Sequence, residues 1–63
     1  MCEANAYLME EAGESLVMEA VDTVMPEEDG ILLTSIFGDQ KFLKKASIHS
    51  LSLVEHKVYL KKV

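Results

Sequence analysis

The sequence predicts a small all-β body, an antiparallel sheet or barrel, and three observations lead there. Apolar runs of β character recur about every ten residues. The connections between them are short and marked by glycine, proline or clustered acids. The central stretch, Gly30 to Leu43, has the form of a hairpin. Its first run, Ile31 to Ile36, is apolar and β-branched, and its second, Gln40 to Leu43, carries an aromatic. Between them lies Phe37-Gly38-Asp39, where Gly38 can adopt positive φ and Asp39 can hydrogen-bond its own backbone. The continuous apolar run Ile31-Leu32-Leu33 predicts an inner strand covered on both faces.

The other elements follow in chain order. Cys2 to Met9 alternates, with Cys2, Ala4, Ala6 and Leu8 on one face and Glu3, Asn5, Tyr7 and Met9 on the other, which predicts a strand. Glu10 to Glu14 is a polar connection with Gly13 as its turn residue. Leu16 to Val24 is apolar and then alternating. A helix over Val17 to Thr23 is conceivable, but Val17, Val21, Thr23 and Val24 lower its intrinsic preference. Pro26-Glu27-Glu28-Asp29-Gly30 is the strongest turn in the chain. Lys44-Lys45-Ala46 is a short joint, Ile48 to Val54 alternates, Glu55-His56 lies at a tight reversal, and Lys57 to Val63 alternates again with Val58 and Leu60 on one face.

Sixty-three residues make a single domain, 1–63. A body of that size is marginal without a disulfide, a metal or a partner chain. One cysteine excludes an internal disulfide, while 49% of the residues are hydrophobic, so a symmetric homodimer is the expected support. The net charge of −5 hides a segregation. Residues 1–39 hold ten of the eleven acids and no lysine, and residues 40–63 hold all six lysines and only Glu55. Strands from the two halves are expected to lie side by side and partly neutralise each other. No basic start followed by a long apolar core opens the chain, and no segment approaches membrane-spanning length. With a single thiol, these features give the cytoplasm as the expected location.

The residue that invites chemistry is Cys2. A lone cytoplasmic cysteine is ordinarily a small buried hydrophobe, but position two changes the donor set. A retained Met1 offers its amine, then the Met1–Cys2 amide nitrogen, then the Cys2 thiolate. Amine and amide nitrogen close one five-membered chelate ring, and amide nitrogen and sulfur close a second. Displacing an amide proton requires a metal with a strong planar preference, Ni(II) or Cu(II), whereas zinc prefers a tetrahedron. If Met1 is removed, Cys2 still chelates through its new amine and its thiolate. A second chain could fill the open positions with its own Cys2 across a two-fold axis. His49 and His56, seven apart, match no familiar ligand spacing. No nucleophile–base pattern, phosphate loop or Cys-x-x-Cys pair is present, so the chain is not expected to be an enzyme.

Four stretches together carry a resemblance: the opening Met1-Cys2, Leu16-Val-Met-Glu-Ala-Val21, Leu32-Leu-Thr-Ser-Ile-Phe-Gly-Asp-Gln40 and Glu55-His-Lys-Val-Tyr-Leu60. In these the chain resembles the CooT-like family of small dimeric nickel-binding accessory proteins, linked to maturation of nickel-dependent carbon monoxide dehydrogenase. The resemblance implies an SH3-like small barrel, a homodimer, Ni(II) bound through Cys2 with the Met1 amine, and a nickel-enzyme apoprotein or its maturation factors as partner. It implies no role for His49 or His56. The rival reading is a small RNA-binding barrel using Lys41, Lys44, Lys45, Lys57, Lys61 and Lys62 with Tyr59. The overall negative charge and the scarcity of aromatics weigh against nucleic acid as a partner.

Overall fold

The computed structural model describes residues 3–63. Among them are six strands and no helix: β1 (Ala4–Glu10), β2 (Gly13–Glu27), β3 (Gly30–Ser35), β4 (Gln40–Lys44), β5 (Ala46–Ser52) and β6 (Lys57–Lys62). They form one sheet in the order β4-β3-β2-β1-β6-β5. The stretch Val17–Thr23 is strand, as its β-branched residues favour. The central hairpin forms as expected, with β3 an inner strand between β2 and β4.

Two parts of the expected architecture are corrected. The sheet is mixed rather than antiparallel, because β1 and β6 run parallel with Tyr7 opposite Tyr59. It is also open rather than closed into a barrel, since β4 and β5 are its two edges. Both corrections have one cause. A reversal between paired strands needs a loop of about two residues or more, and only Lys45 separates β4 from β5. Lys45 is a corner with φ of 56°, not a hairpin turn. The chain bends there and runs on, so β6 returns in the direction of β1.

The same corner curls the sheet. Six strands about 4.8 Å apart would put the edges of a flat sheet roughly 24 Å from each other. One linking residue spans only about 7 Å. The edges must therefore meet at the Lys45 end. Two backbone hydrogen bonds hold the corner: the Lys45 N–H donates to the Asp29 carbonyl at 2.6 Å, and the Val63 N–H donates to the Lys45 carbonyl at 2.7 Å. The long strand β2 bends too. It pairs with β1 as far as Val21 and with β3 from Val21 onward. The bend falls where the register shifts and Ala20 takes φ of 53°.

Ala6, Leu8, Val21, Ile31, Leu33, Val58 and Leu60 form the core on the concave side. Taking Ile31, Leu33 or Leu60 out of water contributes roughly 1.5–3 kcal/mol each. The alternation in β1 and β6 is as expected, with Ala6 and Leu8 meeting Val58 and Leu60, while Tyr7 and Tyr59 stack on the other face with ring centroids 5.9 Å apart. The expectation that β3 is covered on both faces is corrected: Ile31 and Leu33 are buried, but Leu32 is half-buried. One curled layer covers one face only.

Two glycines in the central hairpin are needed for different reasons. Gly38 has φ of 92° and open space around its missing Cβ. Gly30 has no positive φ, but a Cβ there would collide with the Leu43 carbonyl of the neighbouring strand. Gly30→Ala is expected to cost roughly 2–3 kcal/mol by forcing β3 and β4 apart, and Gly38→Ala about 1 kcal/mol from backbone strain alone. Urea unfolding of both variants checks the ranking. Equal costs would mean that the β3–β4 approach is looser than described.

Candidate metal centre and its supporting elements

Met1 and Cys2, the residues expected to hold a metal, lie outside the described residues. The structure does describe what the chain meets immediately after them. The Asn5 N–H donates to the His56 carbonyl at 3.0 Å, which ties the start of β1 to the turn before β6. The Asn5 side-chain oxygen accepts from the Ala20 N–H at 3.2 Å. The Ala20 carbonyl in turn accepts from the Ile36 N–H at 2.8 Å. One run of hydrogen bonds thus links the 53–56 turn, the start of β1, the bend of β2 and the tip of the central hairpin.

The hairpin tip is itself tightly organised. The buried hydroxyl of Ser35 accepts from the Phe37 and Asp39 N–H groups, each at 3.1 Å. The Ser35 N–H donates to the Asp39 carbonyl at 2.8 Å, and the Gly38 N–H donates to the Ser35 carbonyl at 3.0 Å. This turn presents Phe37 at 77% exposure. On the other side of β1, the 53–56 turn presents Leu53 at 80% and Val54 at 93%. An apolar groove of about 460 Å³ opens beside the start of β1, between Val24, Ile48, Leu51 and Leu53, with Ala4 and Val58 on its lining.

The two histidines are separated in role. His49 lies on β5, exposed, with its Nδ1 3.0 Å from the Ser50 hydroxyl. His56 sits at φ of 58° in the turn bonded to Asn5, close to the chain start in the fold though far from it in the sequence. Among the described residues, no group of three or more His, Cys, Asp or Glu side chains converges as a metal cage.

Strands of the lysine-rich half lie beside strands of the acidic half, β4 beside β3 and β6 beside β1. Lys44 pairs with Gly30, and Lys44 and Lys45 share a groove of about 670 Å³ with Glu27, Glu28 and Asp29 at the corner. Tyr59, named with the lysines in the RNA reading, lies against Tyr7, over whose ring the Lys57 ammonium sits at 5.6 Å. Asn5 is a supporting residue that sequence reasoning misses. Its signal is present nonetheless: asparagine is depleted in strands, and here it stands within an alternating one.

The chain matches over residues 1–61 the family model described as CO dehydrogenase accessory protein CooT. It is also similar to a crystal structure assigned to CooT from Carboxydothermus hydrogenoformans, with 42% sequence identity, a TM-score of 0.88 and 98% of each chain covered. No curated protein matches it.

The Asn5 bridge can be tested directly. Asn5→Ala leaves the buried Ala20 N–H without its acceptor and is expected to cost roughly 1–3 kcal/mol, with faster hydrogen exchange at Ala20. Asn5→Asp, which keeps an acceptor oxygen, should recover most of that loss. Unchanged stability and exchange in Asn5→Ala would show that the bridge does not hold the start of β1.

Proposed function

The chain belongs to the CooT family of CO dehydrogenase accessory proteins, and on that footing we propose that it is a non-catalytic cytoplasmic nickel carrier serving maturation of such an enzyme. Nickel is its cargo. Cys2 supplies thiolate and amide nitrogen, Met1 supplies the amine when retained, and a second copy completes the planar set with its own Cys2 at a dimer two-fold. The observation that carries this reading is that the family match extends to residue 1, so it includes the Met1-Cys2 donor pair. The strongly bent β2 and the single-residue corner at Lys45 support the SH3-like arrangement that belongs to the same reading. The partner is the enzyme apoprotein or its maturation factors.

The donor chemistry suits carriage. Amide and thiolate donors give a planar nickel site, and its two open faces admit an incoming ligand from the acceptor. Loading the site must displace the amide proton as well as any thiol proton, so affinity rises with pH. The sign is fixed by the ligands themselves, because protons compete with nickel for the same nitrogen and sulfur atoms.

Cys2→Ser is expected to weaken nickel binding by more than about 100-fold, since even loss of a residue that merely supports a metal ligand costs roughly 10–100-fold. Far-ultraviolet circular dichroism should be unchanged. His49→Ala and His56→Ala should stay within a few-fold of the parent. Calorimetric titration checks all three, and tight binding retained in Cys2→Ser would reject the site.

Titration in buffers of different ionisation enthalpy provides a second check. The expected result is more protons released than thiols present, with binding weakened by an extension ahead of Met1. Proton release equal to the thiol count, together with indifference to the extension, would reject the amide nitrogen as a ligand.

A further inference from the structure

The face of the sheet turned away from the core carries a surface that the metal reading does not use. Directly opposite residues of neighbouring strands share a face. The pairing sets Leu16 of β2 opposite Tyr7 of β1, and Tyr7 opposite Tyr59 of β6. These three side chains form one apolar row across three strands, about 10 Å from end to end at the usual strand spacing. Leu16 is 51% exposed, and both rings are half-buried. Among the described residues there is one sheet and no helix, so no second layer packs over the row. Lys57 and Lys61 flank Tyr59 on the same face of β6.

We propose that this outer face of β2, β1 and β6 docks the nickel-free apoprotein of the enzyme, through a patch of that partner in which carboxylates surround an apolar centre. The inference rests on the accessory role above and is independent of how nickel is held. Charge complementarity selects the occupant. The residues two positions either side of the row are Lys57 and Lys61 on β6, Asn5 and Met9 on β1, and Glu14 and Met18 on β2. That is two cations against one acid, in a chain whose overall balance is the reverse, at −5. A neutral partner gains nothing from this local reversal, whereas a carboxylate-bearing one is steered to it and held in register. Tyrosine adds a large, stiff contact with a polar tip, which suits a protein partner. Nucleic acid is disfavoured because stacking bases need free ring faces. Tyr7 already has the Lys57 ammonium over its ring and Tyr59 alongside.

Interferometry on immobilised, nickel-free CO dehydrogenase apoprotein tests this with the full chain. The parent is expected to bind, with association slowed by added salt. Lys61→Glu, at an exposed position, should slow association about 10-fold. Tyr59→Ala should speed dissociation at least about 30-fold. Circular dichroism should match the parent in both, and Lys61→Glu alone decides the matter if Tyr59→Ala fails to fold. Lys41→Glu, the same charge change on edge strand β4, should leave both rates unchanged. No binding by the parent, unchanged rates in Lys61→Glu, or an equal loss in Lys41→Glu would overturn the assignment. So would tighter binding of an oligouridine RNA than of the apoprotein, lost in Lys61→Glu, which would make the face a nucleic-acid site. The nickel reading fails separately: a parent that docks on the apoprotein but takes up no nickel would reject the carrier while supporting the surface.

Discussion

The fold depends on a single covalent constraint, the lone residue between β4 and β5. Because Lys45 cannot span a flat sheet, the two edges must meet, and because it cannot reverse the chain, the last strand must return parallel to the first. Everything on the concave side follows from that curl. Val58 and Leu60, side by side with Ala6 and Leu8 on the neighbouring strand, are brought against Ile31 and Leu33 in one small core. The cost is a left-handed backbone at a residue with a side chain, of order 1 kcal/mol or a little more. The hydrogen bonds to Asp29 and from Val63 hold it there.

At the opposite bend, polar satisfaction takes over from covalent geometry. Ala20 is buried at the kink of β2, where the ladder loses register and its N–H and carbonyl need partners. Asn5 supplies the first and Ile36 the second. The same side chain that satisfies the kink therefore anchors the start of β1. That links packing in the interior to the placement of the segment entering the sheet, which is the link a carrier with an amino-terminal site would need. The charge distribution is a separate matter. The acidic turn and the basic joint meet at the Lys45 corner, where their fields partly cancel.

Local signals are legible in the sequence and long-range ones are not. The hairpin at Phe37-Gly38-Asp39, the turn after Pro26, the reversal at His56 and the alternation in β1 and β6 all follow from residue type and short periodicity. The parallel pairing of the chain ends and the open edges do not, because the joint at Lys44-Lys45-Ala46 looks like any short connection until its one-residue length is known. Of the candidate site, the donor pair is read from its chemistry. The proximity of His56 to the chain start requires the topology, since 51 positions separate His56 from Asn5 in the sequence.

In the proposed reading the amino terminus is the chemical end of the chain, and the curled sheet is its support. Delivery to the enzyme apoprotein, release of nickel and the sharing of one metal by two copies all presuppose that the metal sits on sulfur and amide nitrogen. X-ray absorption of the nickel-loaded protein with an unmodified amino terminus reads this most directly. The expected spectrum is that of a four-coordinate planar centre with sulfur and nitrogen bound directly to the metal. A six-coordinate centre of nitrogen and oxygen, with no sulfur scattering, would contradict it.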